Sequence, residues 1–184
     1  MTATTLTPKV LNPLVIKAYT TARDQGFYNN DLSIEHHLMM LITEIGEVVQ
    51  ADRKNMRKAT INDCADTLES ELADVAIRIM SLIGYLQDKD YKPHGIDGDI
   101  FSFDYRFGKG QLNHSLTEDL YFITQDIVRY VIAGTPSWVA VRCLQADLAY
   151  IFALTGNRNI CLLDHINKKM EYNEKREYLH GCKY

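Results

Sequence analysis

The sequence predicts an all-α protein, a bundle of five or six helices built as one domain over residues 1–184. Apolar residues recur at three- and four-residue intervals through most of the chain, the period of a helix that buries one face. Helix-capping residues stand ahead of several of these stretches. A chain of 184 residues with 46% hydrophobic content can also bury most of its unfolded surface in one core, with no need of disulfides.

Thr7-Pro8 and Asn12-Pro13 are both capable helix starts. The stripe of Val15, Ala18 and Tyr19 within Leu14–Asp24 then predicts a short first helix that Gly26 stops. Ser33 is a good N-cap for a second helix reaching about Lys54, with Leu38, Leu41, Ile42, Ile45, Val48 and Val49 at helical spacing. Thr60 and Asp63 offer a capping box for a third, whose apolar positions Leu68, Leu72, Val75, Ile79, Leu82, Ile83 and Leu86 run to about Gln87. From Asp88 to His114 the period is lost. Pro93, Gly95, Gly98, Gly108 and Gly110 mark turns there, and Ile100-Phe101-Ser102-Phe103 suggests a short strand or apolar tuck. Ser115-x-x-Glu118 is a capping box for a fourth helix reaching about Ala133, closed by Gly134-Thr135-Pro136, which also gives the fifth helix an N-cap and an N1 proline. The fifth runs to about Leu154 and Thr155-Gly156-Asn157 reads as a turn. Ile160–Lys175 supplies the last helix, with Leu162, Leu163, Ile166 and Met170 on its apolar side.

The formal charge of -4 provides no general field for a nucleic-acid polymer, so an anionic ligand needs a local basic cluster, and one stands near the C-terminus. Cys64, Cys143, Cys161 and Cys182 are scattered, with no zinc spacing, and read as buried or surface thiols. Met1 to Lys9 lacks the apolar stretch of a signal peptide, and no run approaches the roughly 20 apolar residues that cross a bilayer. The expectation is a cytoplasmic protein with no membrane partner.

Two carboxylate pairs are the strongest chemical statement in the chain: Glu44-Ile45-Gly46-Glu47 and Glu71-Leu72-Ala73-Asp74. The i,i+3 spacing puts both acids of a pair on one helix face. Four like charges gathered in a bundle repel and resist desolvation unless a cation neutralises them, and oxygen ligands alone suit a hard ion such as magnesium, with manganese as a substitute. The Glu-x-x-His of a di-iron bundle is absent. One such pair by itself ordinarily marks a solvated face. Two pairs without interleaved i+4 lysines favour the metal. Gly46 stands where helix propensity opposes it, for which the close approach of a partner helix or ligand is one reason.

Lys169, Tyr172, Asn173 and Arg176 fall at i, i+3, i+4 and i+7 on the last predicted helix, a set that suits a nucleotide; the plainer reading is that cations near a helix C-terminus favour its dipole. His36 and His37 read as surface or boundary histidines, and Trp138 as a core or oligomer contact. Asp97-Gly98-Asp99 lacks the closing glutamate of a calcium loop.

The order Glu-x-x-Glu, a gap of some two dozen residues, then Glu-x-x-Asp within Glu71-Leu72-Ala73-Asp74-Val75-Ala76-Ile77-Arg78 resembles the MazG-like all-α nucleoside triphosphate pyrophosphohydrolases, relatives of the dimeric dUTP pyrophosphatases. The stretch from Lys169 through Tyr172-Asn173, Arg176 and His180-Gly181 is similar to the tail of many such proteins, although Glu177 stands where proline is common and Cys182 where lysine or glycine is common. The resemblance covers Ser33 to Gln87 and Ile160 to Tyr184. The intervening Asp88 to Thr155 reads as an insertion of one long loop and two helices.

The resemblance implies magnesium held by Glu44, Glu47, Glu71 and Asp74, with Glu44 or Glu71 as the catalytic base through a bound water. It implies that Lys169 and Arg176 hold phosphates, that Asn173 and Tyr172 contact sugar or base, and that Arg53 and Lys54 contact phosphate, a solvated helix end being the equal alternative for these two. The implied reaction converts a (deoxy)nucleoside triphosphate to the monophosphate and pyrophosphate, in a homodimer or homotetramer. Two alternatives stay open: nucleotide binding without turnover, and a helical interaction module whose acids form a solvated face.

Overall fold

The computed structural model describes residues 8–30, 32–57, 66–90, 114–130, 134–176 and 178. Its six helices follow the predicted order: α1 (Pro8–Asp24), α2 (Ile34–Arg53), α3 (Leu68–Asp90), α4 (Leu116–Tyr130), α5 (Ser137–Asn157) and α6 (Leu162–Asn173). No strand occurs among the described residues. The predicted capping box at Thr60 and Asp63, the apolar tuck at 100–103, the Asp97-Gly98-Asp99 stretch, Cys64, Cys182 and the His180-Gly181 end all lie outside them.

The helix ends differ from the sequence expectation in ways that local chemistry explains. α1 starts at Pro8 and carries Pro13 inside it, so it is longer than predicted. A proline six residues into a helix forfeits a single backbone bond of the first turns, a small loss beside the burial of Leu11 and Val15 on the same helix. α3 is capped by Thr67, whose Oγ1 accepts from the Ser70 amide at 3.3 Å. α5 runs through Thr155-Gly156-Asn157, where a turn was expected, because Thr155 is buried and its hydroxyl donates back to the Ile151 and Phe152 carbonyls. Its N-cap, just before Ser137, is Pro136, with no side-chain hydrogen bond, instead of the expected Thr135. The Ser115–Glu118 box forms as read: the Ser115 amide and hydroxyl both donate to Glu118 Oε2, at 2.8 and 2.7 Å, and the Glu118 amide donates to Ser115 Oγ at 3.3 Å.

Three helices end in the same way. Gly26 (φ 92°), Asn55 (φ 50°) and Asn159 (φ 57°) take the left-handed conformation just past α1, α2 and α5. In each case the amide of the next residue reaches back to the last helical turn: Phe27 to the Ala22 carbonyl, Met56 to Ala51 and Ile160 to Thr155. These bonds satisfy carbonyls that a helix C-terminus otherwise leaves open.

α3 is the centre of the bundle and packs against α1, α2, α5 and α6. Leu72, Ala73, Val75, Ala76, Ile79 and Met80 are wholly inaccessible, so it is buried nearly all round rather than along one stripe. α1 lies close upon it because Gly84 has no side chain; a Cβ there would stand 2.5 Å from Tyr19 Cβ. α2 runs antiparallel to α3: Met56 O meets Leu68 N at 2.8 Å, while Glu44, twelve residues earlier on α2, meets Arg78 farther along α3.

The two helices of the region read as an insertion belong to the same core. α5 packs on α3, and α4 packs on α5 and α2. Asp119, fully buried, accepts from Tyr150 Oη at 2.7 Å and from Arg158 at 3.0 Å, which fastens α4 to both ends of the last turns of α5. One expectation needs correction here. Ser137–Asn157 is long and apolar enough to cross a membrane by length and composition, but most of it is buried inside the bundle. Trp138 is also not core: it is 53% exposed at the start of α5. Gly46 faces open space, so no helix among the described residues of the chain approaches it closely.

Candidate metal and phosphate site

Antiparallel α2 and α3 turn their acids toward each other. One carboxylate oxygen from each of Glu44, Glu47 and Glu71 lies within 4.8 Å of the others, a spacing that could hold a metal ion. They open into a cavity of about 380 Å³ that Asp74, Arg78, Lys169, Asn173 and Arg176 also line. α1 and its following loop supply a further wall through Ala18, Thr21, Ala22, Gln25 and Phe27. Glu47, Asp66 and Glu71 line both this cavity and a second one of about 250 Å³, which Gln50 and Lys54 also line.

Asp74 stands apart from the other three acids. Its Oδ2 is 2.6 Å from Lys169 Nζ, with the two side chains only 18% and 12% exposed. A second pair joins the helices: Arg78 donates to Glu44 Oε1 at 2.8 Å. Thus two of the four acids hold resident cations, while Glu47 and Glu71 face each other.

The proton affinities reflect this arrangement. Burial, and then the Asp74 charge, push the Glu71 carboxyl up to about 7, against the pull of Lys169. Burial raises Asp74 to about 6 even though Lys169 opposes it. Glu47 is raised too, by burial first and then by Glu44 and Asp66. Acids crowded in a partly dry site hold protons unless positive charge enters.

The expected substrate contacts divide. Lys169, Asn173 and Arg176 line the main cavity, and Lys54 lines the adjoining one. Arg176 lies beyond the end of α6 at Asn173, so it is not on a continuing helix face as the spacing suggested. The tail carries it back instead: Lys17 pairs with Glu174 at 3.0 Å, Gln25 Nε2 donates to the Asn173 carbonyl, and Tyr178 lies on Gly26, where Asn29 donates to its hydroxyl. Tyr172 is exposed outside the cavity lining, with the Arg176 guanidinium 5.8 Å from its ring centre. Arg53 is exposed and lines neither cavity; nine positions beyond Glu44, it lies half a turn away from the acidic face.

Two residues escaped the sequence reading. Arg78 follows Asp74 by four positions and reads locally as an ordinary helix ion pair, yet its partner is on α2. His37 is buried, not a surface residue, with its ring among Tyr28, Tyr85 and His36 and its Nε2 unpartnered.

The described residues form an all-α arrangement of six helices with an acidic, cation-bordered cavity between the second and third. No protein-family model matches the chain, and no curated protein or solved structure matches it.

Proposed function

We propose that the protein hydrolyses a nucleoside triphosphate to the monophosphate and pyrophosphate with the help of magnesium. The observation that carries this reading is the meeting, in one cavity, of three carboxylates within metal-sharing distance and two cations with a planar amide from the C-terminal segment. The donor set fits the ion, since it consists of carboxylate oxygens only, and burial first, then neighbouring acids, makes Glu47 and Glu71 hold protons more tightly than usual. Glu44, Glu47 and Glu71, joined by Asp74, would hold magnesium or manganese. When bound, the ion neutralises charge on phosphate oxygens and acidifies water.

The chain's own groups do the rest. Lys169 and Arg176 bind phosphate oxygens, arginine through its two-pronged fit. Asn173 offers both a donor and an acceptor to sugar or base. Glu71 takes the proton of the attacking water from its place in the cavity wall; Glu44 is the other candidate for that role. The water oxygen bonds to the α-phosphorus as the bond to the bridging oxygen breaks, and pyrophosphate leaves.

The test is pyrophosphate release across a panel of ribo- and deoxynucleoside triphosphates with magnesium, with manganese and with EDTA. We expect magnesium-dependent release from at least one. Glu47→Gln and Asp74→Asn should each lower turnover by at least about 100-fold, the scale for loss of a charge stabiliser, with the melting temperature in EDTA unchanged or raised. Nucleotide binding without release would leave only a binding protein, and full turnover in both variants would remove these acids from the site.

A further inference from the structure

Arg78 borders two spaces at once. It lines the acidic cavity, and it also lines a small space of about 30 Å³ formed by Phe27, Tyr28, His36, His37 and Met40. Its guanidinium donates to Glu44 Oε1 at 2.8 Å while its carbon centre stands 5.5 Å from the middle of the Phe27 ring. The Glu44 oxygen that Arg78 occupies belongs to a carboxylate in the three-acid cluster, so a divalent ion and Arg78 compete for the same group. Lys169 competes for Asp74 in the same way.

The competition is uneven. The Arg78–Glu44 pair is a single charge–charge contact at 2.8 Å, with side chains 29% and 18% exposed. A divalent ion drawing on three carboxylates carries twice the charge and gains several ligands at once. Once displaced, the guanidinium does not have to leave the wall, because its carbon centre already stands 5.5 Å from the middle of the Phe27 ring while paired with Glu44, and that cation–π contact stays in place. There it faces the cavity as a free fork, the geometry that phosphate oxygens accept in two parallel bonds.

We infer that Arg78 is an exchangeable counter-ion: it occupies Glu44 until a divalent metal arrives and then turns to the phosphates of the incoming triphosphate. This rests on the proposed metal-dependent triphosphate site, and it adds Arg78 as a residue that couples metal entry to substrate capture. Metal and triphosphate therefore bind with positive cooperativity through one side chain.

The test measures binding without turnover. Mn2+ is titrated by electron paramagnetic resonance into wild type, Arg78→Gln, Arg78→Lys and Glu47→Gln with no nucleotide. A non-hydrolysable triphosphate analogue is then titrated at saturating Mn2+. Loss of the competitor should let Arg78→Gln bind Mn2+ at least about fivefold more tightly, while its affinity for the analogue falls by about tenfold or more. Arg78→Lys keeps a cation at Glu44 and should bind Mn2+ like wild type, which guards against a general loss of fold.

Equal or weaker Mn2+ binding by Arg78→Gln, with wild-type binding intact and lost in Glu47→Gln, would overturn the exchange and leave the site standing. Tighter Mn2+ binding with undiminished analogue affinity would overturn it as well, since the freed arginine would then not reach phosphate. No Mn2+ binding by wild type would remove the underlying site.

Discussion

His37 shows what a single buried group does to the pH dependence of the whole chain. Burial, then the neighbouring charges of His36, Arg78 and Lys89, lower its proton affinity from the usual 6.5 to about 4. It stays neutral in the folded state, whereas the unfolded chain takes up its proton near pH 6.5. Between those values the unfolded chain binds more protons, so stability falls as pH drops through the window. Glu71 and Asp74 act oppositely. Their folded carboxyls keep protons up to about 7 and 6, so their contribution falls as pH rises. His37→Phe keeps a ring among Tyr28 and Tyr85 without a titrating group. Its melting temperature should decline less than that of wild type between pH 7 and pH 5, the acids being common to both. Parallel melting profiles would mean that His37 is not held neutral.

At the scale of the element, α1 matters because it closes the cavity. Ala18, Thr21 and Ala22 reach it from one helix whose approach to α3 depends on Gly84, and Gln25 from the turn that follows. Alanine at position 84 would gain helix propensity of about 1 kcal/mol but bring its methyl to 2.5 Å from Tyr19 Cβ and 3.4 Å from the Val15 carbonyl, neither of which is a flexible tip. Overpacking of this kind costs about 1–3 kcal/mol, so the clash wins. Gly84→Ala should lower the melting temperature and, by displacing α1, raise the Michaelis constant of the proposed reaction more than it lowers turnover. A variant as stable as wild type would show that α1 shifts freely. Helix existence was legible in the sequence because each stripe buries: Leu38, Leu41, Ile45 and Val48 on α2, and Leu162, Ile166 and Met170 on α6, are all core. Helix ends were less so. Gly156-Asn157 looks like a stop, but the left-handed residue is Asn159, and only the burial of Thr155 decides between them.

For the whole molecule, the candidate site was half written in the sequence. The i,i+3 rule gathers Glu44 with Glu47 and Glu71 with Asp74, but it cannot show that Asp74 is held by Lys169 or that Arg78 crosses to Glu44, because both contacts join separate helices. Arg176 reaches the cavity through the turn of the tail and not through helical spacing. Assembly is the remaining question at this scale. Tyr121 and Val128, seven residues apart on one face of α4, are exposed beside Phe122, and Trp138 is exposed at the start of α5. Large apolar side chains grouped on a surface mark contact sites. We propose that copies of the chain associate through them, giving a dimer or tetramer by light scattering at micromolar concentration instead of the 21.1 kDa monomer. Val128→Lys combined with Trp138→Lys should return the monomer. Glu44, Glu47, Glu71, Asp74, Arg78, Lys169 and Arg176 all line the cavity of a single chain, so that monomer should still bind Mn2+ as wild type does. A wild-type monomer would refute the association, and a lysine variant that loses Mn2+ binding along with its partner would show that the second copy completes the site.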